Sequence, residues 1–95
     1  MKDYRTLATA ARNAHTTEAT LVEFGAAGWI EVVSKDGRTF ISSQDEYRSR
    51  FILHLRKKLA LSDKQIGLVL TDVKAPYSVE QVAEALGRMR PPPTA

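Results

Sequence analysis

The stretch that decides the fold is residues 17–41, TEATLVEFGAAGWIEVVSKDGRTFI. Its first half has the apolar spacing of a short amphipathic helix. We predict a helix from about Glu18 to Ala27, with Leu21 and Phe24 facing inward and Ala27 as a further candidate. Gly28 follows directly, and a glycine in this position commonly adopts the left-handed conformation that ends a helix. The sequence therefore predicts a short helix with a defined end.

The second half of this stretch has the signature of a β-hairpin. Residues 29–33 are rich in β-branched and aromatic side chains, and residues 38–41 form a second such run. Between the two runs lies Asp36-Gly37, a dipeptide favoured in the two-residue turns that join hairpin strands. We therefore predict two short antiparallel strands that form a wing beside the helix.

A first short helix is predicted upstream, from Tyr4 to Ala14, with Thr6 as its candidate N-cap. Residues 15–17 interrupt the helical pattern, and the two threonines among them suit a turn followed by a new N-cap. Two short helices joined by a tight turn make the outline of a helix-turn-helix. The inward positions of the first helix are predicted to be Leu7, Ala10 and Ala11.

Three more helices are predicted after the hairpin, each opened by a capping box. The third runs from Ser43, with Glu46 as the reciprocal partner of the cap, to about Ala60. The fourth opens at Ser62 and the fifth at Ser78. The positions predicted to face inward are Tyr47, Phe51, Ile52, Leu55 and Leu59 in the third helix, Ile66, Val69 and Leu70 in the fourth, and Val79, Val82, Ala83, Leu86 and Met89 in the fifth.

The composition limits the function classes. The 95 residues suit a single mainly α-helical domain, to which we assign residues 1–90, followed by an extended proline-rich tail at residues 91–95. The chain has no cysteine and only two separated histidines, so we predict neither catalysis nor a metal or cofactor site. No apolar run approaches the roughly 20 residues that a membrane helix needs. The polar start is not typical of a secretory signal, so we expect a cytoplasmic protein.

Several segments resemble the DNA-binding domain of the MerR family. Gly28-Trp29-Ile30 lies where that family has Gly-Leu-Ile after its second helix, and Arg38-Thr39-Phe40 lies where it has Arg-x-Tyr on the second wing strand. Residues 55–62, LRKKLALS, are similar to the family's join between its last two helices. The resemblance implies a MerR-like winged helix-turn-helix with two short helices, a hairpin wing, a long helix, a short helix and a C-terminal helix.

The second helix departs from the family's DNA-reading pattern. The resemblance places Val22 and Glu23 where DNA-binding members carry an Arg-Tyr pair that anchors the helix to phosphate, and His15 where they have a turn glycine. A carboxylate repels phosphate, and valine offers it no donor. In its short length and in the segment from Arg48 to Leu70, with an arginine-rich third helix and the join Leu59-Ala60-Leu61, the chain is more similar to the CbpM-type branch of the superfamily. The bacterial, cytoplasmic members of that branch bind the J-domain of a DnaJ-type co-chaperone. The resemblance therefore implies a chaperone modulator that acts by docking.

Three surfaces are candidate binding sites. J-domains present a basic helix, so a partner face is expected to be acidic around an apolar centre; the residues we assign to it are Glu18, Val22, Glu23 and Trp29. A basic face on the third helix is a second candidate, for an acidic protein or for DNA, and comprises Arg48, Arg50, His54, Arg56, Lys57 and Lys58. Lys35 and Arg38 flank the wing turn, where a DNA-binding protein contacts phosphate.

The sequence leaves alternatives open for each surface. The net charge of +3 permits nucleic-acid binding without requiring it, so a MerR-like DNA-binding regulator or excision factor is the second hypothesis for function, with weak binding expected. A homodimer through the last helix, residues 79–90, is the third. Trp29 is alternatively a core residue, since a lone tryptophan after a helix cap is commonly buried.

Overall fold

The structure is a computed structural model that describes residues 3–74 and 77–89. Within these residues the chain is mainly helical, as predicted, with five α-helices and one three-stranded antiparallel sheet. The elements are β1 Tyr4–Thr6, α1 Leu7–Asn13, α2 Glu18–Ala26, β2 Val32–Lys35, β3 Arg38–Ser42, α3 Ser43–Lys57, α4 Asp63–Asp72 and α5 Val79–Met89. The chain divides into two compact units, Met1–Leu53 and His54–Ala95. The tail expected at residues 91–95 lies outside the described residues.

Strand β3 is the centre of the sheet, and β1 and β2 pair with it on either side. β2 and β3 form the predicted hairpin, in which Lys35 lies opposite Arg38 and the turn consists of Asp36 and Gly37. The φ angles of the two turn residues are 53° and 76°. A type I′ turn requires positive φ at both positions, which explains why Asp-Gly occupies them. The hairpin prediction is confirmed.

The chain begins with a strand where the sequence predicted helix. Residues Tyr4–Thr6 pair antiparallel with β3. Helix α1 begins only at Leu7, and the Thr6 hydroxyl caps it, as predicted, by accepting a hydrogen bond from the N–H of Thr9 at 3.2 Å. The strand was missed because its pairing partner is distant in sequence, so local spacing carries no signal for it. The predicted inward positions of α1 are buried: Leu7, Ala10 and Ala11.

The end of α2 is a backbone motif centred on Gly28. The N–H of Trp29 donates to the carbonyl of Phe24, and the N–H of Gly28 donates to the carbonyl of Gly25, each at 3.0 Å. Gly28 itself has a φ of 80°. These two bonds are those of a Schellman motif, and they confirm the predicted role of Gly28. Because the motif includes Trp29, β2 begins at Val32 instead of at the tryptophan.

The inward face of α2 is shorter than predicted. Leu21 and Phe24 are fully buried, as expected, but Ala27 is exposed. Ala27 is the C-cap of the helix, so it lies beyond the last turn that packs inward. The turn before α2 passes through His15, whose φ of 56° places it in the left-handed region. Thr17 caps the helix as the sequence predicted, by accepting a hydrogen bond at its hydroxyl.

Helix α3 begins at Ser43, as predicted, but its predicted capping box is wrong. The hydroxyl of Ser42 accepts a hydrogen bond from the N–H of Asp45 at 3.1 Å, and the N–H of Ser43 donates to the carbonyl of Asp3 at 2.7 Å. The side chain of Glu46 is 6% exposed and is paired with distant residues of the first unit. Its carboxylate accepts hydrogen bonds there in a buried position, where such bonds are stronger than those of a solvated cap.

The buried stripe of α3 is rotated from the predicted one. Ile52 and Leu55 are fully buried, as predicted, whereas Tyr47 and Leu59 are each 43% exposed and Phe51 is half-buried. Leu59 also lies beyond the helix, which ends at Lys57 rather than at Ala60. Further positions of α3 are buried that the sequence did not assign to the core: Glu46, Ser49 and Leu53.

The second unit contains α4 and α5. The predicted capping box of α4 is confirmed, because Ser62 and Gln65 each bond the other's backbone. Its predicted inward positions are buried: Ile66, Val69 and Leu70. In α5 Val82 is buried as predicted and Leu86 is half-buried, but Ala83 is exposed and Ala85 is buried in its place. The predicted inward side chains of Val79 and Met89 lie outside the described side chains.

Candidate interaction surfaces

Helix α2 presents an exposed face with an apolar centre and acidic margins. Val22 is 52% exposed, one helical turn after the exposed Glu18. Residues three and four apart lie on the same side of a helix, so these two side chains are neighbours. Glu23 is also exposed, on the adjoining edge of this face. The structure thus brings together three of the four residues predicted to form the partner-binding site.

Trp29, the fourth residue, is half-buried at the end of α2. Its ring lies 5.6 Å from the ring of Phe24, at an angle of 44°. Aromatic pairs in such tilted arrangements stabilise a core beyond the area that they bury. The carbonyl of Trp29 accepts a hydrogen bond of 2.6 Å from Nε of Arg48. These contacts give Trp29 a role in the packing of the first unit, and the residue as a whole stays partly exposed.

The first-unit part of the predicted basic face is engaged with the protein's own groups. Arg48 is half-buried and donates to the Trp29 carbonyl. Arg50 has its Nη2 atom 3.9 Å from the Glu46 carboxylate, and its guanidinium carbon lies 5.9 Å from the centroid of the Tyr47 ring. The nearby carboxylate partly offsets the charge of the guanidinium. Arg50 nonetheless has 52% of its side chain exposed, so in this part of the predicted face it is Arg48 that is held by a backbone carbonyl of the first unit.

The second-unit part of the predicted basic face differs. Arg56 is paired with Asp63, with Nη2 and Oδ1 3.2 Å apart. His54, Lys57 and Lys58 are exposed, and in the described part of the chain none of them has an ion pair. These three side chains are the members of the predicted basic face that have no ion pair within the described residues.

The hairpin turn places Lys35 and Arg38 side by side. They are directly opposite each other in the register of β2 and β3, and both are exposed. Together with Asp36 and Phe40 they line a shallow depression at the turn end of the sheet. The phosphate contacts predicted for Lys35 and Arg38 therefore stay a prediction, with both cations accessible and Asp36 beside them.

The Glu46 cluster is the feature that the sequence analysis missed. Its carboxylate accepts hydrogen bonds from Nη1 of Arg5 at 3.2 Å and from Nδ2 of Asn13 at 2.9 Å. The cluster joins β1, the last residue of α1 and the first turn of α3. No sequence motif could have revealed it, because its members are separated by 33 and 41 residues.

Over the ranges 3–74 and 77–89, no three His, Cys, Asp or Glu side chains form a group that could hold a metal ion. No helix in those ranges is long and apolar enough to span a bilayer. Comparison of the chain with known proteins gives no match to any family model, to any curated protein or to any solved structure.

Proposed function

We propose that this chain is a docking protein, with a first unit of the MerR-like winged helix-turn-helix kind, that binds the basic helix of a J-domain co-chaperone. The observation that carries the proposal is Val22, which is 52% exposed in the middle of α2 with the carboxylate of Glu18 beside it. An exposed apolar side chain bordered by charge has the pattern of a protein interface, with its apolar centre and polar rim.

The charges on α2 favour a protein partner over DNA. In a helix-turn-helix the first residues of the second helix contact base edges, and the side chains that do so are Arg, Lys, Asn and Gln. Helix α2, EATLVEFGA, contains none of these and begins with Glu18. A carboxylate at that position is repelled by phosphate and attracted by a lysine- or arginine-rich helix.

The apolar centre and the acidic margin have different roles in the proposed complex. Charge complementarity mainly raises the association rate and sets orientation, and salt screens it. Burial of Val22 reduces the dissociation rate and does not depend on salt in this way. The complex is therefore expected to weaken as salt rises but to persist at physiological ionic strength.

The test is calorimetric titration of the protein against an isolated J-domain from the same organism. We expect Val22→Asp to weaken the complex at least about tenfold, since it places a charge in the apolar centre. Glu18→Lys is expected to weaken binding and to reduce its salt dependence. Both side chains are exposed, so circular dichroism should show unchanged helix content.

The matched control is Glu84→Lys, the same charge reversal at an exposed position of α5. It should leave the affinity unchanged. An absence of heat for the wild-type protein at high micromolar concentration would contradict the proposed function. Equal binding by the wild type, Val22→Asp and Glu18→Lys would show that the partner is correct and that the α2 face is not the interface.

DNA binding remains the second candidate, because Lys35 and Arg38 are exposed at the tip of the hairpin. Two adjacent cations on a hairpin can contact phosphates without reading bases. This activity would be independent of sequence and would not require α2.

A further inference from the structure

The sheet has two faces of different character. Side chains alternate between faces along a strand, and directly paired residues point to the same side. Ile41 of β3 is fully buried, and a Cγ atom of its partner Val32 lies 3.0 Å from where a Cβ at Gly25 would be. This face therefore packs against α2. The opposite face, here called the outer sheet face, carries Phe40 at its centre.

The outer sheet face has a gradient of charge from one end to the other. At the turn end lie the exposed Lys35 and Arg38. At the opposite end a second shallow depression is lined by Tyr4 and Ser42 of the sheet, by the first residues of α3 and by three acids. The three acids of this depression are Asp3, Glu31 and Asp45.

The apolar residues lie between these two ends. Phe40 and Val33 are paired across β3 and β2, and both are half-buried. Tyr4 is 38% exposed and lies on the same face, at its β1 edge. Phe40 is the middle residue of the central strand, Arg38–Ser42, so each charged end lies about 7 Å from it along the strand.

This arrangement is complementary to itself. In a two-fold symmetric pair, each surface contacts the same surface of its partner with the ends exchanged. If the two-fold axis passes near Phe40, the basic end of each copy lies over the acidic end of the other copy. The two Phe40 rings then meet near the axis, where aromatic side chains are typical of interface centres.

We propose that the outer sheet face is a self-association surface that binds a second copy of this chain in a two-fold symmetric dimer. Its ion pairs join Lys35 and Arg38 of one copy to Asp3 and Glu31 of the other. The surface is separate from the exposed face of α2, and the proposal does not depend on the J-domain as partner.

The size of the face predicts a weak dimer. Three strands about 4.8 Å apart and five residues at about 3.4 Å each give it an area of roughly 250 Å². Stable interfaces bury about 800 Å² on each partner. Dimerisation is therefore expected at high micromolar concentration and to weaken as salt is added.

The experiment is sedimentation equilibrium of the wild type and of two double variants. Lys35→Glu with Arg38→Glu makes both ends of the face acidic, and Asp3→Lys with Glu31→Lys makes both ends basic. Asp45 is left intact because its carboxylate accepts a hydrogen bond from the N–H of Glu31 at 3.1 Å. Each double variant alone is expected to be monomeric at concentrations where the wild type dimerises.

An equimolar mixture of the two double variants is expected to restore the dimer, because an all-acidic face then meets an all-basic face. This rescue also demonstrates that both variants are folded. Lys64→Glu with Lys74→Glu is the matched control in the second unit, where both residues are exposed, and it should dimerise like the wild type. A wild type that stays monomeric at millimolar concentration overturns the proposal. So does a mixture that stays monomeric, or dimerisation that neither double variant alters.

Discussion

The Glu46 carboxylate lies where three elements of the first unit meet. It accepts hydrogen bonds from Arg5 of β1 and Asn13 of α1, and its side chain is 6% exposed. The sequence places a serine three residues before this glutamate, and that local pattern predicts a capping box. The local prediction failed because long-range donors compete for the same carboxylate, and a charge-assisted bond in a buried site is stronger than a solvated cap.

We expect Glu46→Ala to lower the free energy of unfolding by roughly 1–3 kcal/mol, because it removes the acceptor of the half-buried Arg5 guanidinium and of the Asn13 amide. The measurement is urea denaturation followed by the fluorescence of Trp29, the single tryptophan, which lies in the same unit. Glu84→Ala on the exposed side of α5 is the control and should change stability by no more than about 0.5 kcal/mol. Equal losses for the two variants would mean that the Glu46 cluster contributes nothing.

At the scale of the helices, two glycines are expected to respond to the same substitution with opposite signs. Gly28 has a φ of 80° at the end of α2, whereas Gly87 lies in α5, and neither has a neighbouring atom within 4 Å of an added Cβ. Gly28→Ala is expected to lower the free energy of unfolding by about 1 kcal/mol or more, because an alanine is strained at a positive φ. Backbone conformation is the feature in which this site differs from Gly87. Gly87→Ala should stabilise its helix by roughly 0.5–1 kcal/mol.

Thermal denaturation followed by circular dichroism checks this pair of variants. The midpoint should fall for Gly28→Ala and rise for Gly87→Ala. A rise for Gly28→Ala would show that α2 does not end in a left-handed glycine. A fall for Gly87→Ala would show that this position of α5 is not an unstrained helix interior.

The elements that the sequence predicts correctly are those that local chemistry determines. The Asp36-Gly37 turn, the end of α2 at Gly28 and the capping box at Ser62 each depend on a few adjacent residues. Strand β1 and the phase of α3 depend on distant partners. Tyr47 is apolar enough to be predicted inward, yet it is 43% exposed because Glu46 and Ser49 occupy the buried side.

The candidate site, like the fold, could be predicted from the sequence where helical spacing determines it and not where distant contacts do. Glu18 and Val22 are exposed on α2 because Leu21 and Phe24 fill the core, a pattern visible in helical spacing. The basic face of α3 was predicted from charge alone. Charge does not show which cations already bind carbonyl or carboxylate groups of the same protein. Arg50 and Glu46 are four residues apart on α3, a pair that helical spacing can indicate. Arg48 contacts the Trp29 carbonyl on a different part of the chain, which no spacing rule could indicate.

At the scale of the whole molecule, the distribution of charge predicts how the protein responds to DNA. The net charge is +3, but the helix expected to read bases is acidic, and the exposed cations are spread over α1, the hairpin tip, α3 and the second unit. Binding to duplex DNA is therefore expected to be weak, independent of sequence and lost at physiological salt, because it comes from counterion release alone. Titration of labelled random and defined duplexes at several salt concentrations measures this.

The salt dependence identifies which cations take part. If Lys35 and Arg38 bind phosphates, replacing both with alanine should reduce the slope of log K against log salt by about 2, roughly one for each cation removed. Lys64→Ala with Lys74→Ala, two exposed lysines of the second unit, is the matched control and should keep the wild-type slope. A tight complex with one duplex that survives at about 150 mM salt would instead require base-specific hydrogen bonds, which salt affects less than phosphate binding. Such bonds would have to come from a surface other than α2, and DNA binding would then replace docking as the favoured function.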